Sequence, residues 1–290
     1  MKTERSRLGI TAVVLLLGAG IAWAGSEGGV TVSGVPVFAI LVACIFLIQI
    51  AAFVPAFVRQ TERYYDLTGS LTYSSMTLAA AALAAPLDAR TVLLAVLVLV
   101  WAARLGTFLF RRVRKAGKDG RFDDIKPSFV RFLNAWVIQA LWVTLTAGAA
   151  LAAITSSVRA PIDAWALVGG AVWLVGFTIE ATADMQKNRF RADAANKNRF
   201  IHTGLWSWSR HPNYFGEITL WVGVALVAFP ALQGWQLVTL VSPVFVFLLI
   251  TRVSGVPLLE KHADETWGGQ DDYEAYKART SVLVPLPPKR

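Results

Sequence analysis

Long apolar runs, separated by short polar stretches, fill most of this chain. A bilayer core about 30 Å thick needs about 20 mostly apolar residues for each helical span. The pattern predicts an all-α integral membrane protein, a multi-span helical bundle. We predict eight spans, at 8–24, 35–58, 70–87, 91–110, 132–154, 164–184, 216–232 and 235–252. The third and seventh of these are short and rich in small residues, so seven spans is the main alternative.

Composition supports the membrane class. Hydrophobic residues make up 55% of the 290 residues and charged residues 16%, which lies outside the usual range of soluble proteins. No repeat and no long linker divides the chain, so we predict a single membrane domain over 1–290. The one cysteine, Cys44, lies inside an apolar run, which excludes a disulfide framework and a thiolate metal cluster. We expect no metal site.

The basic residues orient the predicted spans. Of the 28 Lys and Arg, only Arg90, Arg104 and Arg159 fall outside the segments that the eight-span threading leaves in the cytoplasm. Every loop then obeys the positive-inside rule. We therefore predict a multi-pass protein of the inner cell membrane with both termini cytoplasmic. The net charge of +9 reports this orientation, and the basic stretch 111–131 serves mainly topology, so we expect no nucleic-acid partner.

The first 24 residues have the three parts of a secretory signal: a basic start, an apolar run and Ala22-Trp23-Ala24. We interpret this segment as a retained first helix.

Ionisable residues are concentrated in the stretch 180–221. Glu180 and Asp184 lie four residues apart and share one helix face, where ionisable groups at membrane depth usually meet a polar cavity or a partner. Cations follow them at a density suited to phosphate groups, although basic residues beside anionic lipid headgroups would give a similar pattern. These cations are Lys187, Arg189, Arg191, Lys197, Arg199 and Arg210.

A turn at a helix start follows, with the sequence Arg210-His211-Pro212-Asn213-Tyr214-Phe215-Gly216-Glu217. Pro212 prevents an ordinary helix from continuing through it, so a new helix begins here with backbone N–H groups that attract anions. Glu217 then lies one turn inside an apolar helix. The alternative interpretation is an ion pair that joins the loop to the helix.

Three ordered blocks carry a resemblance. They are Gln186-Lys187-Asn188-Arg189-Phe190-Arg191, then Gly204-Leu205-Trp206, then the turn from Arg210 to Glu217. Together they resemble the C-terminal region of the steroid 5α-reductase family and of sterol double-bond reductases. The resemblance covers 168–285. It implies NADPH held by loops at the cytoplasmic ends of membrane helices, which agrees with the lack of a G-x-G-x-x-G fingerprint.

By this resemblance, Arg191 and Arg199 would contact phosphates, and Asn213 and Glu217 the nicotinamide end. Arg104 lies about two turns from the end of its span, where it would serve the cofactor phosphates or pair with a carboxylate. The predicted cofactor-binding set is Asp184, Lys187, Arg191, Arg199, Arg210, Asn213, Tyr214, Glu217, Arg104 and Glu260.

The residue that would donate a proton to the substrate is harder to identify from the sequence. Steroid 5α-reductases have an adjacent Gln-Glu pair for the substrate carbonyl, which this chain lacks. The nearest equivalent is the stretch 60–66, so we predict that Tyr65 and Asp66 supply the acid. Interfacial tyrosines of an aromatic belt are the alternative.

The resemblance implies an NADPH-dependent membrane reductase that acts on a C=C bond conjugated to a carbonyl in a steroid-like or other lipid, with hydride delivered to the β-carbon. One alternative is an S-adenosylmethionine-dependent membrane methyltransferase of the isoprenylcysteine or phospholipid type, which has a similar Arg-His-Pro turn. A non-catalytic lipid-binding protein is another. The expected partners are the lipid bilayer and a hydrophobic, steroid-like substrate.

Overall fold

The computed structural model describes residues 2–116 and 119–288, so Lys118 of the basic stretch 111–131 lies outside the described residues. The chain forms two compact units. The first comprises Met1–Ala166 and Ala225–Ser242, and the second comprises Leu167–Val224 and Pro243–Arg290. The prediction of a single membrane domain stays a prediction.

Helices dominate the first unit, and the all-α prediction is confirmed. A two-stranded antiparallel hairpin links the first two helices, with Ser33 and Gly34 at positive φ in its turn. Three 3₁₀ segments, Gly120–Phe122, Phe229–Ala231 and Gly234–Val241, complete the described part of the unit. The elements are α1 (Lys2–Gly25), β1 (Thr31–Val32), β2 (Val35–Pro36), α2 (Val37–Val58), α3 (Tyr65–Leu83), α4 (Ala89–Ala116) and α5 (Phe129–Thr155).

Helix α5 is the centre of the first unit. Buried residues make up 83% of its most apolar window, against 22% for α1. It packs against α1, α2, α3 and α4. Its second half is rich in alanine, glycine and threonine, and such small residues let membrane helices approach closely.

Seven helical segments of the described chain are long and apolar enough to cross a membrane, which fits a multi-pass membrane protein. The predicted third span, 70–87, is not among them. The helix there, α3, begins at Tyr65, ends at Leu83 and contains Ser, Thr and Tyr on much of its length, so its mean hydropathy is too low. By length and composition alone the described chain has the seven spans of the alternative, and an eighth crossing by α3 stays a prediction.

Arg90, near the start of α4, is 1% exposed and is held by backbone carbonyl groups. Its guanidinium donates to the carbonyl oxygens of Ala160 (3.2 Å), Pro161 (2.5 Å) and Val227 (2.7 Å) and pairs with Asp163 at 2.6 Å. The hydrogen bond from Arg90 holds the pKa of the Asp163 carboxyl below its usual value. A buried cation with this many acceptors fixes the chain segments that supply them.

The second unit contains most of two long helices, α6 (Ala164–Ala192) and α7 (Pro212–Ala228), and then a chain of shorter ones. Helix α8 (Ser242–Leu248) continues into a π-helical turn, Leu249–Val253. Helices α9 (Val256–Trp267) and α10 (Asp271–Arg279) follow.

Glycines bring α6 and α7 into backbone contact. A Cβ atom at Gly216 would lie 2.5 Å from the backbone nitrogen of Glu180 and 2.6 Å from the carbonyl oxygen of Gly176. A Cβ at Gly223 would lie 2.5 Å from the backbone nitrogen of Trp173. Since real Cβ atoms do not approach backbone this closely, the crossing requires glycine at these positions.

We predict that Gly216→Ala destabilises the protein by roughly 1–3 kcal/mol, because the added methyl group must push α7 away from α6. The measurement is thermal unfolding of purified protein in detergent. Gly170→Ala is the matched control: this glycine lies on α6, the partner helix, but outside the backbone of its own helix its Cβ would meet no atom of the described chain within 4 Å. A Gly216→Ala protein as stable as the control would contradict the proposed crossing.

Candidate functional site

The end of α6 and the start of α7 form a polar junction. Glu180 and Asp184 are 2% and 6% exposed. Asn213, in the first turn of α7, donates from Nδ2 to Oδ1 of Asp184 at 3.2 Å. Pro212 begins α7, a position where its missing N–H has no helical partner to lose. The junction depends on the close approach of the helices that Gly216 permits.

The loop between these helices folds back on α6. Gly204 has φ of +63°, and the backbone N–H of the next residue donates to Oε1 of Gln186 at 3.0 Å. The buried indole of Trp206 donates to the carbonyl oxygen of Ala183 at 3.0 Å. The ammonium of Lys187 lies 4.4 Å from the centre of the Trp206 ring, a cation–π distance. These contacts hold the cations of the loop beside those of α6.

The C-terminal tail supports the same loop. Tyr276 of α10 donates from its hydroxyl to the carbonyl oxygen of Trp206 at 2.7 Å. Burial raises the pKa of the Tyr276 phenol above its usual value, so the group keeps this proton. Further along, the backbone N–H of Arg210 donates to the carbonyl oxygen of Ser281 at 2.9 Å. The tail therefore fixes the backbone that leads into α7.

Glu260 of α9 joins two residues of the turn. Its Oε2 pairs with Nη1 of Arg210 at 2.7 Å, and its Oε1 lies 2.7 Å from Nε2 of His211. The His211 ring stacks on Tyr214 with ring centres 5.7 Å apart. Both Arg210 and Glu260 belong to the predicted cofactor set, and they form an ion pair with each other. Their pairing makes α9 part of the site.

An aromatic cluster, which we did not predict, stands beside these cations. The ring of Phe200 lies 6.0 Å from that of Trp267, 5.3 Å from that of Tyr273 and 5.3 Å from that of Tyr276. The Trp267 indole also donates to the carbonyl oxygen of Asn198 at 3.0 Å. The sequence signal was the pair Tyr273 and Tyr276, three residues apart on one helix face.

A cavity of about 150 Å³ lies within the second unit, bounded by the loop, the end of α6 and helices α9 and α10. It combines cations with flat aromatic walls, a chemistry suited to a phosphate-bearing group attached to a planar ring. The predicted cofactor residues in its wall are Lys187, Arg191, Arg199, Arg210 and Glu260, and its aromatic residues are Phe190, Phe200, Trp206, Trp267, Tyr273 and Tyr276.

Four other predicted cofactor residues belong to the polar junction. Asp184 and Asn213 are bonded to each other. Tyr214 stacks on His211, which is itself in the cavity wall. Glu217 lies one turn further along α7. Their roles toward a cofactor stay predictions.

The predicted catalytic pair, Tyr65 and Asp66, belongs to the first unit. The Tyr65 hydroxyl donates to the carbonyl oxygen of Ala135 at 2.9 Å, and its ring packs on Trp136 with centres 5.1 Å apart. Asp66 lies 3.7 Å from the guanidinium of Arg112. These contacts give both side chains a structural role, and the catalytic one stays a prediction.

Arg104 also belongs to the first unit, and its role at a cofactor stays a prediction. On α4 its guanidinium carbon lies 5.9 Å from the centre of the Phe108 ring, one turn further along.

We predict that the buried His211 makes the protein less stable in mild acid. Burial lowers the pKa of its imidazole, Glu260 opposes this effect, and the positive charges of Lys187 and Arg210 lower the pKa further. In the unfolded chain the group takes up a proton near pH 6.5, whereas the folded protein resists it. The free energy of unfolding therefore decreases as the pH falls below about 6.5.

The measurement for this prediction is the unfolding temperature in detergent between pH 7.5 and 5.5. His211→Gln should flatten the profile, while His262→Gln, which removes an exposed imidazole, serves as the control. An unchanged slope in His211→Gln would mean that another group causes the pH dependence.

Comparison with known proteins places the chain in a family. The sequence profile described as "Protein of unknown function (DUF1295)" matches residues 52–280. An uncharacterized protein of Schizosaccharomyces pombe is 25% identical over 203 residues, 60% of this chain and 59% of that protein. The 3-oxo-5-alpha-steroid 4-dehydrogenase 1 of Bos taurus is 33% identical over 121 residues, and that of Rattus norvegicus is 29% identical over 120 residues.

The chain covers 41% of the length of both mammalian enzymes, and the match to each covers 41% of this chain. No solved structure matches the sequence. These similarities confirm the resemblance to steroid 5α-reductases that the three motif blocks predicted. Because the family profile matches most of its length, the chain belongs to the DUF1295 family, which is similar to steroid 5α-reductases.

Proposed function

We propose that the protein is an NADPH-dependent membrane reductase that reduces a C=C bond conjugated to a carbonyl in a steroid-like or other lipid, with hydride delivered to the β-carbon. The similarity to 3-oxo-5-alpha-steroid 4-dehydrogenases supports the reaction class. The observation that supports NADPH as the cofactor is the cavity of the second unit, which is lined by both cations and aromatic rings.

The residues of this cavity fit a phosphate-rich cofactor. Lys187, Arg191 and Arg199 bring three positive charges to it from α6 and the loop, and guanidinium groups bind phosphate oxygens at two points. Its volume, about 150 Å³, is below the range of roughly 300–1,000 Å³ that encloses a whole drug-sized ligand. The cavity would therefore receive one part of NADPH, with the phosphates on the cations and a ring against the aromatic wall.

The polar junction is the proposed contact for the nicotinamide end. Asn213 gives its N–H to Asp184, which leaves the amide oxygen of Asn213 to accept from a carboxamide. Glu217 is the second proposed partner there. NADPH supplies the hydride when it is bound. The protein's own contribution is to orient that group, since positioning accounts for a large part of such a reaction.

We also propose the inner cell membrane as the location, with both termini cytoplasmic. Helix α3 has 19 residues, about 28 Å at 1.5 Å per residue, and it packs between α2, α4 and α5. A helix covered by neighbours crosses a bilayer with polar side chains that lipid would exclude. If α3 crosses in this way, the chain crosses eight times and its basic segments follow the positive-inside rule.

We predict that NADPH raises the unfolding temperature of the purified protein in detergent more than NADH does, and that S-adenosylmethionine does not raise it. Arg191→Ala should weaken NADPH binding by about 2 kcal/mol, roughly 30-fold, because it removes a charge-assisted contact with a phosphate. Binding is measured by titration of the thermal shift.

The control is Arg189→Ala, which removes an exposed cation from the same helical turn without altering the cavity wall. Stabilisation by S-adenosylmethionine alone would replace the reductase with a methyltransferase. A lack of response to all three compounds would favour a non-catalytic lipid-binding protein.

A further inference from the structure

Two glutamines lie in apolar helices of the first unit. Gln49 is near the middle of α2 and 0% exposed, and Gln139 is on α5 and 9% exposed. Inside a bilayer there is no bulk water to hydrate an amide, so each of its polar atoms needs a partner from the protein, a trapped water or a ligand. The hydrogen bonds of the two amides therefore show which of their polar atoms the protein leaves for a water or a ligand.

Both amides have a fixed orientation. Gln139 donates from Nε2 to the carbonyl oxygen of Tyr65 at 3.2 Å, so its other atom is the oxygen. Gln49 donates from Nε2 to Oγ1 of Thr72 at 3.0 Å. The single proton of that hydroxyl goes to the carbonyl oxygen of Thr68 at 2.7 Å, so Thr72 can only accept from Gln49.

Each amide is left with a buried oxygen that accepts nothing. Within residues 2–116 and 119–288, no group donates a hydrogen bond to Oε1 of Gln49 or to Oε1 of Gln139. An unmet acceptor in such a setting costs several kcal/mol relative to a bonded one. A partner for these oxygens must bring an O–H or N–H donor.

The two oxygens belong to one region. Helices α2, α3 and α5 pack against one another, and α3 touches both amides. Gln49 bonds Thr72, while Gln139 lies against Gly69, where a Cβ would come within 2.7 Å of its Nε2. Positions 69 and 72 are three residues apart on one face of α3, about 4.5 Å along its axis.

We propose that this pair of amide oxygens binds the hydroxyl group of a lipid inside the first unit. A hydroxyl donates its proton to one acceptor, and a second hydroxyl or a co-bound water serves the other. A lipid with only a carbonyl group offers no donor and gains nothing from either oxygen. The inference rests on the proposed function only in taking this lipid to be the substrate.

Three probes that share one skeleton test the proposal: cholesterol, which has a hydroxyl group; cholest-4-en-3-one, which has only a carbonyl; and 5α-cholestane, which has neither. Binding to the purified full-length protein in detergent is measured by quenching of tryptophan fluorescence. Cholesterol should bind about tenfold more tightly than both others, the gain expected of one buried hydrogen bond.

Gln139→Met and Gln49→Met replace each amide by a side chain of nearly the same shape. At least one of the two variants should reduce the cholesterol preference to about threefold or less, because the hydroxyl has a single proton and loses the acceptor that takes it. Thr144→Val is the matched control: it is buried on α5, but its hydroxyl already donates to the carbonyl oxygen of Ala140 at 2.9 Å. This variant should keep the preference.

Equal affinity for the three probes, or a cholesterol preference that survives both glutamine variants, would overturn the proposal and assign the two oxygens to buried water. The thermal shift with NADPH is recorded in parallel on every variant. A preserved cholesterol preference without any NADPH response would sink the proposed reductase while leaving the hydroxyl site intact. A normal NADPH response with no cholesterol preference would overturn the hydroxyl site and leave the proposed reductase intact.

Discussion

The backbone contact between α6 and α7 determines how the cofactor site can be built. Where Gly216 meets Glu180, the two helix backbones are too close for a side chain to stand between them. This approach puts the amide of Asn213 within hydrogen-bonding distance of Asp184, one turn further along α6. The loop that leaves α6 returns to α7 over a short distance, and within it Gly204 has a positive φ, a conformation that glycine adopts without strain. The cations of the loop are near those of α6 because the helices are near each other.

Charge within the cavity is partly balanced by the protein itself. Glu260 pairs with Arg210 and hydrogen-bonds His211, so α9 supplies an anion to a region that otherwise collects cations. A purely basic cavity would repel its own members, whereas one carboxylate between two donors draws α9 toward the turn. The remaining cations of the wall come from α6 and the loop. A phosphate-bearing ligand would therefore bind to those cations, while Arg210 is already paired with Glu260.

The sequence predicted the fold class because apolar length is a local property that lipid thickness dictates. It also predicted the cations of the site, since the motif blocks around Arg191 and Arg199 are contiguous. It did not predict that Arg210 and Glu260 bind each other, because 50 residues separate them and only the folded tail brings them together. The aromatic cluster around Phe200 was missed for the same reason. Helix α3 is a different case: its small residues make the window look apolar, but its threonines, serines and tyrosines lower the mean hydropathy of the helix below that of the other spans.

The buried polar residues of the first unit differ in whether their hydrogen-bonding atoms have partners among the described residues. Arg90 is almost completely buried, yet its guanidinium has four acceptors, which shows that this fold satisfies a buried charge when the charge is structural. Thr144 and Thr155 likewise return their hydroxyl protons to carbonyls of their own helix. Gln49 and Gln139 are satisfied at the nitrogen and, among the described residues, not at the oxygen. A leucine at either position would fill similar volume without the cost of a buried acceptor. The amides are therefore hard to explain by packing alone, and an external donor gives them a physical reason to be there.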